Sequence, residues 1–326
     1  MKYIGMFDTS IMSRNQGDHI IMESVRRELK PVLQDAFVIN LPTHSPLFRR
    51  ITALQRSQTN LRNMLKSFDL KFVGGTNLLA KDMRQITNQW DIHLGDLKYI
   101  SNTILVGVGT DGLPAIRNEY TKKFYRTMLS GEYIQSVRDD ATCELLDGLG
   151  IKAVNTGCAT TWCLTPEHCS KIKKDKSESV VFTVTDYKPC PEKDKKMIEI
   201  LLHDYDKVYC WRQGMWDEKY LASLGTDLSK VEYIPSSLEG YNEFLESCDC
   251  DYVGTRLHAG IKAMQKFRRS IILGVDNRAR DMNKTCKFVM LERDKLDDLH
   301  DMINSQFATP VQINTQAIEL FRGQFL

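Results

Sequence analysis

Short apolar runs closed by glycine or a polar turn, each followed by a stretch of helical periodicity, recur along this chain, and that alternation constrains its fold more than any other feature. Tyr3–Phe7, Ala36–Asn40, Leu70–Gly74, Thr103–Val108, Tyr133–Val137 and Ala153–Asn155 read as strands. Asp18–Leu29, about Leu47–Ser67, Tyr120–Leu129 and Ala141–Leu149 read as helices, with Ile20, Ile21, Ser24, Val25 and Leu29 on one face of the first. A loop rich in Cys and Thr (Thr156–Cys169) and a charged stretch (Lys171–Glu178) interrupt the pattern, which then restarts. Val180–Val184, Lys207–Trp211, Val231–Pro235, Tyr252–Val253 and Ser270–Val275 are the second set of strands, and Glu192–Asp204 is a helix among them. Strands alternating with helices ask for parallel sheets. The expectation is an α/β protein of two similar domains, residues 1–170 and 171–308, with parallel sheets facing a cleft. Residues 309–326, with Pro310 ahead of Ile313, Ala317, Leu320 and Phe321, form a helix expected to pack back on the first domain.

The 326 residues suffice for two domains, and 42% hydrophobic with 26% charged residues is ordinary for globular chains. A net charge of +2 gives no broad basic field for duplex nucleic acid. No run approaches the roughly 18 apolar residues of a membrane-spanning helix. The start, Met1–Phe7, is too short and interrupted for a signal peptide. A cytoplasmic protein is expected. The nine cysteines are scattered, and Cys248-Asp-Cys250 has no second pair to complete a zinc site, so reduced thiols are expected, with no metal and no cofactor. The basic segment Arg49, Arg50, Arg56, Arg62 and Lys66 reads as a solvated helix face. Peripheral contact with anionic headgroups at the inner membrane face is its other reading, and self-association is left open.

Five places join polar residues to the end of an apolar run or the start of a helix. In Asp251–Gly260 a strand stops at Gly254, Arg256 and His258 follow, and a helix begins near Ala259. Ligands of open α/β sheets bind outside the carboxyl ends of strands. Arg256 supplies a planar fork for carboxylate or phosphate and His258 a proton-transfer group. The positive end of the helix favours a neutral imidazole there. A second cluster, Asp276, Asn277, Arg278 and Arg280, follows the long apolar strand and reads either as an anion site near Arg256 or as a charged, solvated loop. Asn15-Gln-Gly17-Asp18 precedes the first helix, with Asp18 as its cap. Gly74-Gly75-Thr76-Asn77 offers backbone N–H groups to an anion or a sugar hydroxyl. Arg138 and Asp139 read as an anion ligand and a helix cap, or as a surface ion pair and a cap. Trp162, Trp211 and Trp216 are candidates to stack on a sugar, with core packing the commoner fate.

In that order, Asn15-x-Gly17-Asp18, Gly74-Gly75, Ser136-Val-Arg-Asp139, Val253-Gly-Thr-Arg-Leu-His-Ala-Gly260 and Val275-Asp-Asn-Arg278 resemble the polysaccharide pyruvyl transferase family over roughly residues 3 to 285. The resemblance implies two Rossmann-like domains, as in the GT-B glycosyltransferases. It implies transfer of a pyruvyl group from phosphoenolpyruvate to a sugar, usually as a ketal, with phosphate released. Donor binding and catalysis fall on Arg256, Leu257 and His258, with Asn277, Arg278, Arg280 and Arg138 as further donor ligands. Asn15, Gly17, Asp18, Gly74, Gly75, Thr76, Asn77 and Asp139 line the acceptor side. A sugar or lipid-linked oligosaccharide is the acceptor partner. Thr76 stands where many relatives carry a third glycine, and Gly157-Cys158 where many have Asp-Pro. Two rival readings are a GT-B glycosyltransferase using a nucleotide sugar and a non-catalytic glycan-binding or assembly protein.

Overall fold

The computed structural model describes residues 1–48, 56–85, 89–110, 116 and 118–326, and their side chains except those of 56–58, 277 and 278. The chain forms two compact units, one of Met1–Ser13, Ile21–Trp162 and Asn314–Leu326, the other of Arg14–Ile20 and Cys163–Ile313.

In the first unit the strands are β1 (Lys2–Asp8), β2 (Ala36–Pro42), β3 (Leu70–Gly74), β4 (Asn77–Leu79), β5 (Thr103–Val106), β6 (Gly109–Thr110), β7 (Gln135–Val137) and β8 (Ala153–Asn155). A parallel sheet runs β2-β1-β3-β5, β4 pairs with β6, and β7 with β8. Ile4–Asp8 of β1 and all of β3 are buried, as near-continuous apolar runs covered on both faces should be. Lys71 is buried with them; its Nζ donates to Ser101 O at 3.0 Å, and burial pulls its pKa down. The run expected to continue to Val108 ends at Val106 because Gly107 turns the chain with φ +62°. The strand expected from Tyr133 begins at Gln135, since Ser130 Oγ accepts from the N–H groups of Glu132 and Tyr133 and holds a turn there. Of the basic segment, Arg49, Arg50 and the Arg56 side chain lie outside the described residues. Arg62, Lys66 and Lys98 stand over the Tyr99 ring at 5.0 to 5.6 Å.

The second unit holds β9 (Ser179–Thr183), β10 (Lys207–Trp211), β11 (Val231–Ile234), β12 (Cys250–Gly254), β13 (Ser270–Gly274) and β14 (Met290–Glu292). All six are parallel, in the order β11-β10-β9-β12-β13-β14. Strand order reverses between β9 and β12, and the crevice at such a reversal is where doubly wound sheets take ligands. Val180, Phe182, Val253, Ile271 and Leu273 form the core under the helices, with Met197, Ile198 and Leu201 from the helix Pro191–Asp204. A buried ion pair fixes β12 below its carboxyl end. Asp251 Oδ2 accepts from Arg269 Nη1 at 2.6 Å and from Tyr205 OH at 2.8 Å. Arg269 Nη2 donates to Ile303 O and Ser305 O, both at 2.8 Å. Burial pushes the Asp251 carboxyl up against the pull of Arg269.

The last helix, Thr315–Arg322, packs on the first unit as expected. Phe321 is fully buried with its ring edge on Trp162, and Phe325 meets Phe72 and stacks on Tyr133. Gln324 closes the seam, its Oε1 accepting from Ile134 N at 2.6 Å. Among the described residues no helix is long and apolar enough to cross a membrane. Phe321→Ala is expected to lower the unfolding free energy by about 3–5 kcal/mol in urea denaturation, the usual effect of emptying a buried aromatic site. A change under about 1 kcal/mol would mean that this helix contributes little to the first unit.

Candidate functional site

The strongest constellation lies at the strand reversal of the second unit. Thr183 ends β9, and its hydroxyl pairs with Tyr252 OH at 2.7 Å; Tyr252 OH in turn donates to Arg256 O at 2.7 Å. Thr185 and Thr255 hydroxyls pair at 2.8 Å. These bonds lace the carboxyl ends of β9 and β12 and fix the backbone of Arg256, the residue that precedes the helix Leu257–Gln265. Leu257 packs in the core, while Arg256 and His258 are both buried.

A buried guanidinium needs partners. Arg256 Nε donates to Val184 O at 2.9 Å, and Nη2 donates to Asp186 Oδ1 at 2.7 Å and to Asp217 Oδ1. Nη1 makes no hydrogen bond among the described residues. The Tyr187 ring lies 5.1 Å from the guanidinium carbon. Asp217 is fully buried at the start of the helix Asp217–Ser223, and its other oxygen accepts from Gly214 N at 2.6 Å. Burial pushes the Asp217 carboxyl up, against the pull of Arg256. Gly214 is required here, since a Cβ would lie 2.1 Å from Arg256 Nη2.

The loop Gln213–Met215 is itself held by the segment expected on the acceptor side of the first domain. Gln16 N donates to Gln213 O and Met215 N to Arg14 O, both at 2.9 Å. Gln213 Nε2 donates to Asn15 Oδ1 at 2.6 Å, and Gly17 N shares that oxygen at 3.0 Å. Asn15, Gly17 and Asp18 therefore belong to the second unit, beside the Arg256 loop. Asp18 lies in the first turn of the helix Gln16–Glu28 rather than capping it; the side-chain oxygen that bonds the start of this helix is that of Asn15. Gln213 Oε1 is buried with no hydrogen-bond partner among the described residues.

After β13, Asp276 caps the helix Asn277–Cys286, accepting from Ala279 N at 2.9 Å, and accepts from Tyr187 OH at 3.3 Å. Arg280 is committed to Glu292 of β14, Nη2 to Oε2 at 2.8 Å, a use the sequence did not suggest. The side chains of Asn277 and Arg278 lie outside the described residues.

The remaining expected residues sit at the carboxyl end of the first unit's sheet. The N–H of Gly75 is not open to an anion, because it donates to Val106 O at 2.9 Å. The di-glycine serves close approach instead: a Cβ on Gly75 would lie 2.4 Å from Gly107 O. Thr76 carries φ +144°, a conformation suited to glycine, which gives a physical meaning to its departure from the relatives' pattern. Asn77 Oδ1 accepts from buried Arg138, and Asp139 caps the helix Asp140–Asp147, accepting from Thr142 N at 2.8 Å. Trp162 is buried, and Trp211 stacks face to face on Tyr241 at 3.9 Å, so both are packing residues; Trp216, next to Asp217, is 53% exposed. Asp186, Asp217, Gln213 and Gly214 were not among the expected site residues. The available signal was glycine followed by an acid just beyond a strand, Gly214-Met-Trp-Asp217.

A doubly wound sheet with a buried Arg-x-His element at its strand reversal defines a Rossmann-like α/β protein. The chain belongs to the polysaccharide pyruvyl transferase family, whose profile matches residues 15–277. None of the curated proteins matches it in sequence. Among solved structures it is similar to S. aureus MnaA with UDP (13% identity, 98% of this chain and 94% of that one, TM-score 0.55). It is also similar to UDP-GlcNAc 2-epimerases of Methanocaldococcus jannaschii (13% identity, 98% of each chain, TM-score 0.51) and Neisseria meningitidis (12% identity, 98% of each chain, TM-score 0.50). These likenesses establish the fold, which is GT-B-like.

Asp217→Ala is expected to destabilise by about 3–5 kcal/mol, because it strips a buried charge of its partner. Arg256→Met in the same chain is expected to restore most of that loss, as read by urea denaturation; no recovery would mean that Asp217 acts through something other than the pair. Thr76→Gly is expected to raise the melting temperature, since relief of about 1–3 kcal/mol of backbone strain exceeds the roughly 0.5–1 kcal/mol of added chain entropy. A lower melting temperature would show that the threonine side chain is held by contacts worth more than the strain.

Proposed function

We propose that this protein transfers a pyruvyl group from phosphoenolpyruvate to a sugar of a surface polysaccharide or its precursor, forming a ketal and releasing phosphate. Membership of the polysaccharide pyruvyl transferase family supports a transferase acting on a sugar. The observation that carries the reading further is the placement of Arg256 and His258 at the strand reversal, with the guanidinium anchored on one side and Nη1 left over.

In this reading Arg256 Nη1 holds the phosphate or carboxylate of the donor. Two carboxylates already share this guanidinium, so one arginine does not balance the donor's charge. Arg280 is engaged by Glu292, which leaves Arg278 as our second clamp, beside Asn277. His258, in the imidazolium form that the bound donor's negative charge favours, gives a proton to the methylene carbon. The neighbouring carbon becomes cation-like and a sugar hydroxyl adds to it, losing its proton to a base. Phosphate then leaves that carbon with its bonding electrons, and a second hydroxyl closes the ketal. Water is neither consumed nor formed. Gln213 Oε1, a buried acceptor without a partner among the described residues, suits a substrate hydroxyl. Asp18 or, alternatively, Asp139 is our candidate to orient the acceptor, and the reaction as written needs no cofactor.

The test is to incubate the protein with phosphoenolpyruvate and candidate glycans and to follow phosphate release and product mass. His258→Ala is expected to lose about 100- to 10,000-fold in turnover, the usual worth of a proton-transfer group, while still binding the donor. Full activity in that variant would remove His258 from the mechanism. The likeness to structures described with UDP or UDP-GlcNAc keeps a second reading in view, transfer from a nucleotide sugar. Stabilisation against heat by uridine nucleotide sugars and not by phosphoenolpyruvate would select it.

A further inference from the structure

A second cluster of chemically active side chains lies on the second unit, among elements that do not carry Arg256. The helix Pro191–Asp204 ends in His203 and Asp204, and the helix Leu299–Asn304 brings His300 alongside. His203 Nδ1 lies 2.9 Å from Asp204 Oδ1. His300 Nδ1 lies 2.9 Å from the same oxygen and 3.0 Å from Oδ2. The two rings stand 5.8 Å apart at 60°. The Asp204 carboxylate is only 3% exposed, whereas His203 is 78% and His300 52% exposed, so a buried anion has two imidazoles over it at the surface.

Three lone-pair donors, two Nδ1 atoms and a carboxylate oxygen, thus converge within 4.8 Å. Two neutral imidazoles protonated at Nε2 would aim both Nδ1 lone pairs at a carboxylate, an arrangement that calls for a cation between them. Tetrahedral zinc, with bonds of about 2.0–2.2 Å, sets neighbouring ligand atoms about 3.3 Å apart, so each Nδ1 needs to draw back from the carboxylate oxygen by only a few tenths of an ångström. Nitrogen and oxygen donors without sulfur suit zinc and its first-row neighbours.

We propose that His203, Asp204 and His300 form a surface site for a divalent transition cation of the zinc class, with the remaining coordination position left to water. The site joins two elements already tied along one seam. Lys193 pairs with Asp294 and Lys196 with Asp297, one helical turn apart on the same helix, and His203–Asp204 continues that line to His300. Exposed ion pairs such as those two contribute little, so a metal bridge is the firmest rung of the ladder. The helix Leu299–Asn304 that carries His300 ends at the carbonyls of Ile303 and Ser305 that receive Arg269.

The experiment uses the full chain, stripped with a chelator and titrated with zinc chloride by calorimetry and by thermal unfolding. One zinc ion per chain and a rise in melting temperature with zinc concentration are expected. His203→Ala and His300→Ala alter exposed side chains, so the metal-free melting temperature should stay near that of the parent. Each is expected to weaken binding by more than the roughly 10- to 100-fold typical of losing an outer-shell partner. Cobalt(II) in place of zinc should give weak visible bands without the near-ultraviolet thiolate band that ligation by Cys248 or Cys250 would produce. The proposal falls if zinc leaves the parent's melting temperature unchanged. It falls equally if the His203→Ala/His300→Ala double variant responds like the parent, or if the cobalt spectrum shows thiolate ligation that survives in that variant.

Discussion

The arrangement of the second unit's ligand-facing end depends on keeping one guanidinium out of water. Removing a charge of that kind from solvent costs several kcal/mol unless partners replace the water. Arg256 is provided for from three directions: the carbonyl that follows β9, the carboxylate of Asp186 in the same loop, and the carboxylate of Asp217 beyond β10. Asp217 in turn is oriented by the N–H of Gly214, and the loop carrying Gly214 is pinned by Asn15 and its neighbours. The loops after three neighbouring strands are therefore not independent. Each is shaped by its share of a single charge, and that coupling holds His258, two residues on, in a defined place.

The corresponding end of the first unit solves a different problem. There the backbones of several loops come too close for side chains, and glycines at 75 and 107 allow it. The N–H of Gly75 is spent on Val106 O and that of Gly107 on Ser136 Oγ, so neither is a free donor. Thr76 is the exception to the small-residue rule and carries the strain that results. Arg138 is drawn into this packing by Asn77 in the same way that Arg256 is drawn in by its acids.

The fold was largely legible because buried parallel strands leave near-continuous apolar runs, and eleven such runs coincide with strands in the structure. What escaped was short. β4, β6 and β14 have two or three residues each, too few for any periodicity to register. The position of Arg256 and His258 beyond a strand end was legible from glycine closing an apolar run ahead of them. The acidic partners of Arg256 were not, because an aspartate at the start of a helix reads as a cap until the arginine opposite is known. The seating of Asn15 on Gln213 spans 198 residues and rests on one side-chain bond flanked by backbone bonds, which leave no pattern in the sequence. His300 is likewise 96 residues from Asp204, so that trio has none of the close spacing by which metal ligands are usually noticed.

Because residues 14–20 belong with residues 163–313, and residues 314–326 with the opening unit, the two units are interleaved in sequence. Synthesis proceeds from the amino end, and domains ordinarily fold as they emerge. Here the first unit has to wait for residues 314–326, since Gln324 and Phe325 fill the seam against Ile134, Tyr133 and Phe72. The second has to hold its earliest segment, Arg14–Ile20, in reserve until Gln213 appears. The entropy of closing so long a loop grows only with the logarithm of its length, so the delay is a matter of timing more than of final stability. A nascent chain therefore has neither unit complete before Ile313 is made, and neither can be excised as one continuous fragment.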